Sequence, residues 1–196
     1  MTKTTAFFGT IAAVVLILWM SYNNIVTKNV AVSTAWSEVG NQLTRRSGLI
    51  PNLVETVKGY AAHEEAIFTE VAAARAQIAT AVKLDVSQLA NDPALQKQLL
   101  DANQQLGASL GRLIAVAEAY PDLKASENFS RLQDELAGTE NRVTVARNRA
   151  IEATGAYNRV IVTFPGVLLA KHFGFGPKDF YVAPEEKTGV PTVEFN

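Results

Sequence analysis

No cysteine occurs anywhere in the chain, and histidine occurs only twice. Disulfides, thiolate metal sites and cysteine nucleophiles are thereby excluded. His63 and His172 stand on different segments, too far apart to be a ligand pair at helical spacing. His63 is followed by Glu64 and Glu65, but without a second histidine one turn away the run reads as a solvated helix surface. Excess charge of one sign is missing as well: 18 Lys and Arg stand against 19 Asp and Glu, for a net charge of −1. Nucleic-acid binding calls for a basic face, so no nucleic-acid partner is expected. Catalytic signatures are lacking too. Gly174-Phe175-Gly176 mimics the start of a dinucleotide fingerprint, yet no strand pattern precedes it and Pro177 follows. Gly107-Ala108-Ser109-Leu110-Gly111 has the Gly-x-Ser-x-Gly spelling but lies inside a helical repeat and not at a strand-to-helix elbow. There is no phosphate-binding loop, and no nucleophile–base pair can be assembled. The expectation is a protein that is not an enzyme, with no cofactor and no metal.

What is present begins with an uncharged run. Thr4–Thr27 carries no charge, and Ala6–Met20 within it is almost wholly apolar. Counted to Tyr22 it makes a helix of roughly 25 Å, against a hydrocarbon core of about 30 Å. Neutral flanks and the Trp19/Tyr22 pair, suited to the lipid–water interface, absorb that mismatch. A cleaved signal peptide has an apolar region of similar length, but no small-x-small site follows closely after Met20. A buried core helix is the remaining alternative. The expectation is a single-span anchor over residues 1–24 that contacts membrane lipid. Lys3 before the run and Lys28, Arg45 and Arg46 after it lean the topology toward a body outside the cytoplasm.

Behind the anchor, apolar residues recur at helical spacing. Phe129, Leu132, Leu136, Thr139, Val143, Ala146, Ala150, Ala153, Tyr157, Val160 and Phe164 alternate at three and four, the seam of a long coiled-coil-like helix ending at Phe164-Pro165-Gly166. A second helix is expected along Leu49, Leu53, Val57, Tyr60, Ile67, Val71, Ala74, Ile78 and Val82. A third opens at Asp92-Pro93, with aspartate as N-cap and proline at the first helical position. It carries Leu95, Leu99, Ala102, Leu106, Leu110, Leu113, Val116 and Tyr120. The first helix continues out of the membrane through Ile25, Val32, Trp36, Val39 and Leu43. Breaks fall at Ser47–Pro51, Asp85–Asp92 and Pro121–Ser126. Four long amphipathic helices with short breaks predict an all-α protein, a membrane helix continuing into an antiparallel up-down four-helix bundle over 25–166. Residues 167–181, with Phe173, Phe175, Phe180 and Tyr181 among glycines and prolines, are expected to fold back on the bundle. Residues 182–196 read as a flexible tail whose end, around Phe195, could pair with a partner as a short strand.

Arg45 and Arg46 fall where the first helix should end, and cations are favoured there by the helix dipole. Pro51 and Asn52 belong to the same expected turn. Glu140 and Asn141 sit mid-helix with Arg147 beyond, suited to a polar layer that fixes bundle register. Gly107 and Gly111, four apart within a helix, point to close helix approach. Gly9 and Ala13 have that spacing inside the membrane run and permit tight self-packing.

These segments resemble the LemA family. The stretches that carry the resemblance are Arg45-Arg46-Ser47-Gly48-Leu49-Ile50-Pro51-Asn52-Leu53-Val54, Lys58-Gly59-Tyr60-Ala61-Ala62-His63-Glu64 and Ala119-Tyr120-Pro121-Asp122-Leu123-Lys124-Ala125. Leu132-Gln133-Asp134-Glu135-Leu136, Thr139-Glu140-Asn141-Arg142, Ala156-Tyr157-Asn158, Phe164-Pro165-Gly166 and Phe173-Gly174-Phe175 complete it across nearly the whole chain. The resemblance implies an N-terminal anchor ahead of a long antiparallel bundle, with no assigned reaction or cofactor. Gly48 stands where an acidic residue is usual, and Ala150 where the long helix often has tyrosine. The leading expectation is a membrane-anchored scaffold acting through helix–helix contacts, as a homo-oligomer or with another protein partner. The alternative is a membrane-tethered sensor binding a peptide or small ligand in a groove of Glu140, Arg147, Tyr157 and the Arg45–Asn52 turn.

Overall fold

One helix of 57 residues, α1 (Thr2–Lys58), joins the apolar run to the rest of the molecule without interruption. The computed structural model describes residues 2–83 and 86–180. After α1 come α2 (Glu65–Lys83), the single turn α3 (Val86–Leu89), α4 (Pro93–Ala117), the single turn α5 (Pro121–Lys124), α6 (Glu127–Val162) and α7 (Gly166–Phe173). Among the described residues there is no strand. The long elements make an all-α bundle in which α1 lies along α6 and α2 lies along α4.

The break expected at Ser47–Pro51 does not exist. Pro51 lies inside α1, and the chain turns later, over Gly59–Glu64. Proline lacks the N–H that would bond the carbonyl four residues back, so a helix through Pro51 leaves the Ser47 carbonyl without its donor. Arg75 of α2 supplies it, its Nε donating to Ser47 O at 3.2 Å. The helix therefore passes the proline with that carbonyl satisfied by a neighbour. The core positions of α1 agree: Ile25, Val32, Trp36, Val39, Leu43, Arg46, Ile50, Leu53 and Val57 are buried in one seam that keeps its three–four alternation across the proline. Arg45 and Arg46 are thus mid-helix residues, not terminal ones. Lys58 takes the C-terminal place instead, and its ammonium lies 5.5 Å from the Phe68 ring centroid, joining the end of α1 to α2.

The start of α4 is as expected. Asp92 accepts hydrogen bonds from Ala94 N at 2.9 Å and Leu95 N at 3.0 Å, with Pro93 opening the helix. In α6 the expected seam holds from Phe129 to Ala150, then steps by four to Thr154 and on to Tyr157 and Ile161. A straight helix drifts relative to a strict seven-residue repeat, and the extra step of four resets the phase. Thr154 is tolerated in the core because its hydroxyl donates to Ala150 O at 2.8 Å. Phe164, expected to end the seam, is instead 79% exposed.

Along the α2–α4 pair, Glu70 receives Ser109 Oγ at 2.9 Å and Arg112 Nε at 3.2 Å. Of the two glycines in α4, Gly111 faces open space, so it does not mark a close helix approach. At Gly107 an added Cβ would lie 3.8 Å from the Arg46 guanidinium, an ordinary contact.

Candidate functional site

Two polar constellations interrupt the apolar core. The first centres on Arg46, which occupies a seam position of α1 normally filled by an aliphatic residue. Its guanidinium is almost wholly buried, pairs with Glu140 of α6 and donates to Asn103 Oδ1 of α4. One planar fork thus ties three helices at one level, as suits a residue with several donors in fixed geometry. Burial pushes the Arg46 pKa below its usual value, and the Glu140 charge opposes that shift. Glu140 is about half exposed, so the pair is open to solvent on the carboxylate side. The sequence brought Glu140 and the Arg45–Asn52 segment together only as parts of a ligand groove, not as a buried pair; the unbroken seam from Leu43 to Ile50 is the signal that Arg46 points inward.

The second constellation lies nearer the membrane run. Residues 174–180 leave α7 through Gly174, whose φ of 75° is a left-handed C-cap suited to glycine, and cross back over α6. Asn158 holds this strap at two points: its Nδ2 donates to Lys178 O at 2.7 Å, and its Oδ1 accepts from Lys178 N at 2.9 Å. Tyr157 Oη donates to Gly176 O at 3.0 Å. Lys178 reaches across to the turn after α3, donating to Ala90 O at 3.2 Å and to Asn91 Oδ1, with the Tyr157 ring 5.3 Å from its ammonium. Phe180 lies over Gly155, where an added Cβ would come within 3.7 Å of the ring. Burial raises the Tyr157 pKa and lowers that of Lys178, in each case by disfavouring the charged form.

Under the strap is a cleft of about 320 Å³, with Asn29, Asn91, Gln96, Tyr157, Lys178 and Asp179 in its lining. Gln96 is buried; its Nε2 donates to Leu89 O at 2.6 Å while its Oε1 has no hydrogen-bond partner. The cleft has the volume of a small-molecule site, and the unmet Gln96 acceptor is buried in one of the residues that line it.

The remaining expected residues scatter. Arg45 and Asn52 are exposed on α1, and Asn52 O accepts from the Thr56 hydroxyl at 2.8 Å. Asn141 lines a shallow surface groove with Glu38, Gln42, Arg142, Val145 and Arg149. Arg147 is partly buried, its Nε without a hydrogen-bond partner. Phe195 lies outside the described residues. Of the groove of Glu140, Arg147, Tyr157 and the Arg45–Asn52 segment, Glu140 meets Arg46, but Tyr157 is 17 residues along α6 from Glu140, roughly 25 Å at the helical rise. Asn158, Lys178 and Gln96 were not foreseen, since amide clamps between distant segments leave no local pattern. His63 is an exposed residue of the α1–α2 turn, and among the described residues no group of three acidic, histidine or cysteine side chains could hold a metal ion.

Comparison with known proteins places this architecture. The chain is 26% identical over 185 residues to magnetosome protein MamQ of Magnetospirillum gryphiswaldense, a match covering 87% of this chain and 68% of the relative. It is 28% identical over 185 residues to each of two MamQ proteins of Paramagnetospirillum magneticum, with the same coverage. The sequence profile of the LemA family matches residues 35–195, which takes in both polar constellations and leaves the apolar run outside the match. With the motifs of the α1–α2 turn, of α6 and of the strap all inside that match, the chain belongs to the LemA family.

Proposed function

We propose that this membrane-associated protein is a structural component, held in the bilayer by residues 6–20 and assembling with copies of itself through helix–helix contacts. The observation that carries the reading is the continuity of α1. Its first part lies wholly outside any protein cover, and its second part is the spine of the bundle core. A helix unbroken between the two holds the bundle at a set angle to the membrane, as a post is held, where a flexible linker would only tether it. Gly9 and Ala13 fall on one face of the uncovered part, and nothing lies within 4 Å of a Cβ added at Gly9. Such a face lets two identical helices approach closely in lipid. Arg46, the buried cation of the core, is taken up by Glu140 and Asn103, and Lys178 by the backbone and side chain of the α3–α4 turn, which favours a structural role over catalysis. The relatives are named for a cellular structure and not for a reaction, which supports the same choice. Flanking charges favour a bundle outside the cytoplasm.

Mass photometry of the full chain in mild detergent tests this, beside chains carrying Gly9→Leu and lacking residues 1–24. Discrete species above monomer mass that dissociate in both altered chains are expected. Monodisperse monomer of the full chain in several detergents overturns self-assembly. The cleft under the strap supports a second reading, a membrane-tethered sensor for a small polar ligand held among Asn29, Gln96, Tyr157 and Lys178. Its test is a thermal-shift screen with Gln96→Leu as control: stabilisation of the full chain, lost in the variant, supports it, and no stabilisation by any compound counts against it.

A further inference from the structure

Exposed large apolar side chains are scarce on the bundle. Outside the run that ends at Met20, the described residues with such exposure are Val30, Tyr60, Val145, Val162, Phe164, Leu168, Phe173 and Phe180. Four of these fall within residues 162–173, the corner between α6 and α7. Scattered single apolar residues are ordinary on a surface, whereas a concentration at one corner calls for a cover.

The register of α1 against α6 locates that corner. Arg46 pairs with Glu140, and Asn29 lines the same cleft as Tyr157, so the two helices run antiparallel with these residues level. Carried on, the same register sets the end of α6 level with Tyr22–Asn24. The α7 segment stays at this end. Gly166 packs so closely on α6 that an added Cβ would lie 2.1 Å from Val160 O, and the Phe173 ring sits 5.0 Å from the Tyr22 ring. Phe175 adds a second ring 6.1 Å from Tyr22. The corner therefore begins two to four residues below Met20, about 3–6 Å along the helix axis. The interfacial layer on each face of a bilayer is roughly 5–8 Å deep. Phe164 and Leu168 thus fall at interfacial depth if residues 6–20 span the hydrocarbon.

We propose that the α6–α7 corner is a second membrane contact, with Phe164 and Leu168 seated in the headgroup–acyl boundary of the leaflet on the bundle side. Lys171 and His172 are exposed beside Leu168 on α7, a pattern of apolar residue flanked by basic ones that suits an interfacial helix facing anionic headgroups. The short span gains from it: residues 6–20 make only about 22 Å of helix, and a bundle drawn down onto the surface by its own apolar collar relieves the mismatch. This contact rests on residues 6–20 spanning the bilayer and is independent of self-assembly.

Because the chain contains no cysteine, the single substitutions Phe164→Cys, Leu168→Cys, Gly9→Cys and Thr69→Cys can each carry an environment-sensitive fluorophore in the full-length protein. The labelled chains are reconstituted in phosphatidylcholine vesicles with a minority of phosphatidylglycerol, with and without brominated acyl chains, and their folding is matched by helicity. Gly9 reports the span, and Thr69, exposed on α2 beside the far end of α1, reports the distant surface. At Phe164 and Leu168, quenching by brominated lipid severalfold above that at Thr69, together with protection from aqueous iodide, is the expected result. Iodide quenching equal to that at Thr69 overturns the proposal. Protection from iodide without lipid quenching also overturns it, since protein and not lipid would then cover the corner. Failure of lipid quenching at Gly9 marks failure of the span itself, a separate outcome that removes the basis of the contact.

Discussion

The two parts of α1 are one helix with opposite surroundings. Residues 6–20 expose nearly every side chain, with Phe8, Val15 and Trp19 each well over half bare. From Ile25 to Val57 the same helix buries a residue at nearly every third or fourth position and leaves the others half-buried or exposed. Backbone geometry does not distinguish the parts; what differs is what each must be covered by. A run that is apolar all round has no polar face to offer water, so it is satisfied by lipid. A striped run offers one seam, which α6 fills, and a wet face. The lesson is that helix continuity and membrane location are separate properties, since one rigid rod crosses from one solvent to another.

Substitutions on either side of Tyr22 sharpen this contrast. Leu43→Ala, at a fully buried seam position, is expected to cost about 2–5 kcal/mol of bundle stability, read by chemical denaturation of the full chain in detergent. Leu16→Asp should leave that denaturation midpoint unchanged and instead deplete the membrane fraction, since a carboxylate near the centre of a span costs about 2.5–3.5 kcal/mol. A large loss of bundle stability from Leu16→Asp would show that the two parts are not independent. A smaller effect is expected at the polar layer. Arg46→Ala strips Glu140 and Asn103 of their shared partner and should cost about 2–3 kcal/mol, moderated because Glu140 can rehydrate. Replacing Arg46 and Glu140 together by leucine should recover most of that loss in the same assay, which would identify the pair as a register device and not a net source of stability.

Next in size is the strap. Asn158→Ala removes both bonds to Lys178 and is expected to cost about 1–2 kcal/mol, with faster proteolysis around residues 174–180 as the local readout. Unchanged proteolysis would mean that Tyr157 and Lys178 suffice to hold the strap. Smallest of all is Gly48→Ala. Gly48 is an exposed helical residue with open space at its Cβ, so alanine should stabilise the bundle by about 0.5–1 kcal/mol, measured as a shift of the denaturation midpoint. That gain would confirm that α1 remains helical through the Ser47–Pro51 stretch, because a turn there would not reward alanine.

Much of the bundle was legible because burial writes its period into the chain. Phe129–Ala150 and Leu95–Leu113 show the seams directly, and Asp92-Pro93 announces a helix start by local hydrogen bonding alone. The misplaced turn at Ser47–Pro51 came from reading proline as a stop. Proline stops a helix only when the carbonyl it orphans has nowhere else to go, and the donor here is Arg75, 28 residues away. The shift of the α6 seam from Ala153 to Thr154 has a similar cause. Alanine is the more apolar residue, yet helical phase outranks hydrophobicity once the threonine hydroxyl is met by its own helix.

The sequence alone determined the fold class, the uncovered apolar run and the family, because each rests on local pattern: periodicity, absence of charge and ordered motifs. It also excluded thiol chemistry, since no arrangement supplies thiols the chain does not contain. Tertiary structure alone decided which polar residues meet. Arg46 with Asn103 and Glu140, and Asn158 with Lys178, are joined by the packing of separate helices and the return of a strap. It alone set the α6–α7 corner beside Tyr22, level with the end of the apolar run. Contacts between groups distant in sequence depend on register and crossing, and those are fixed by the packing of whole surfaces, which no single segment encodes.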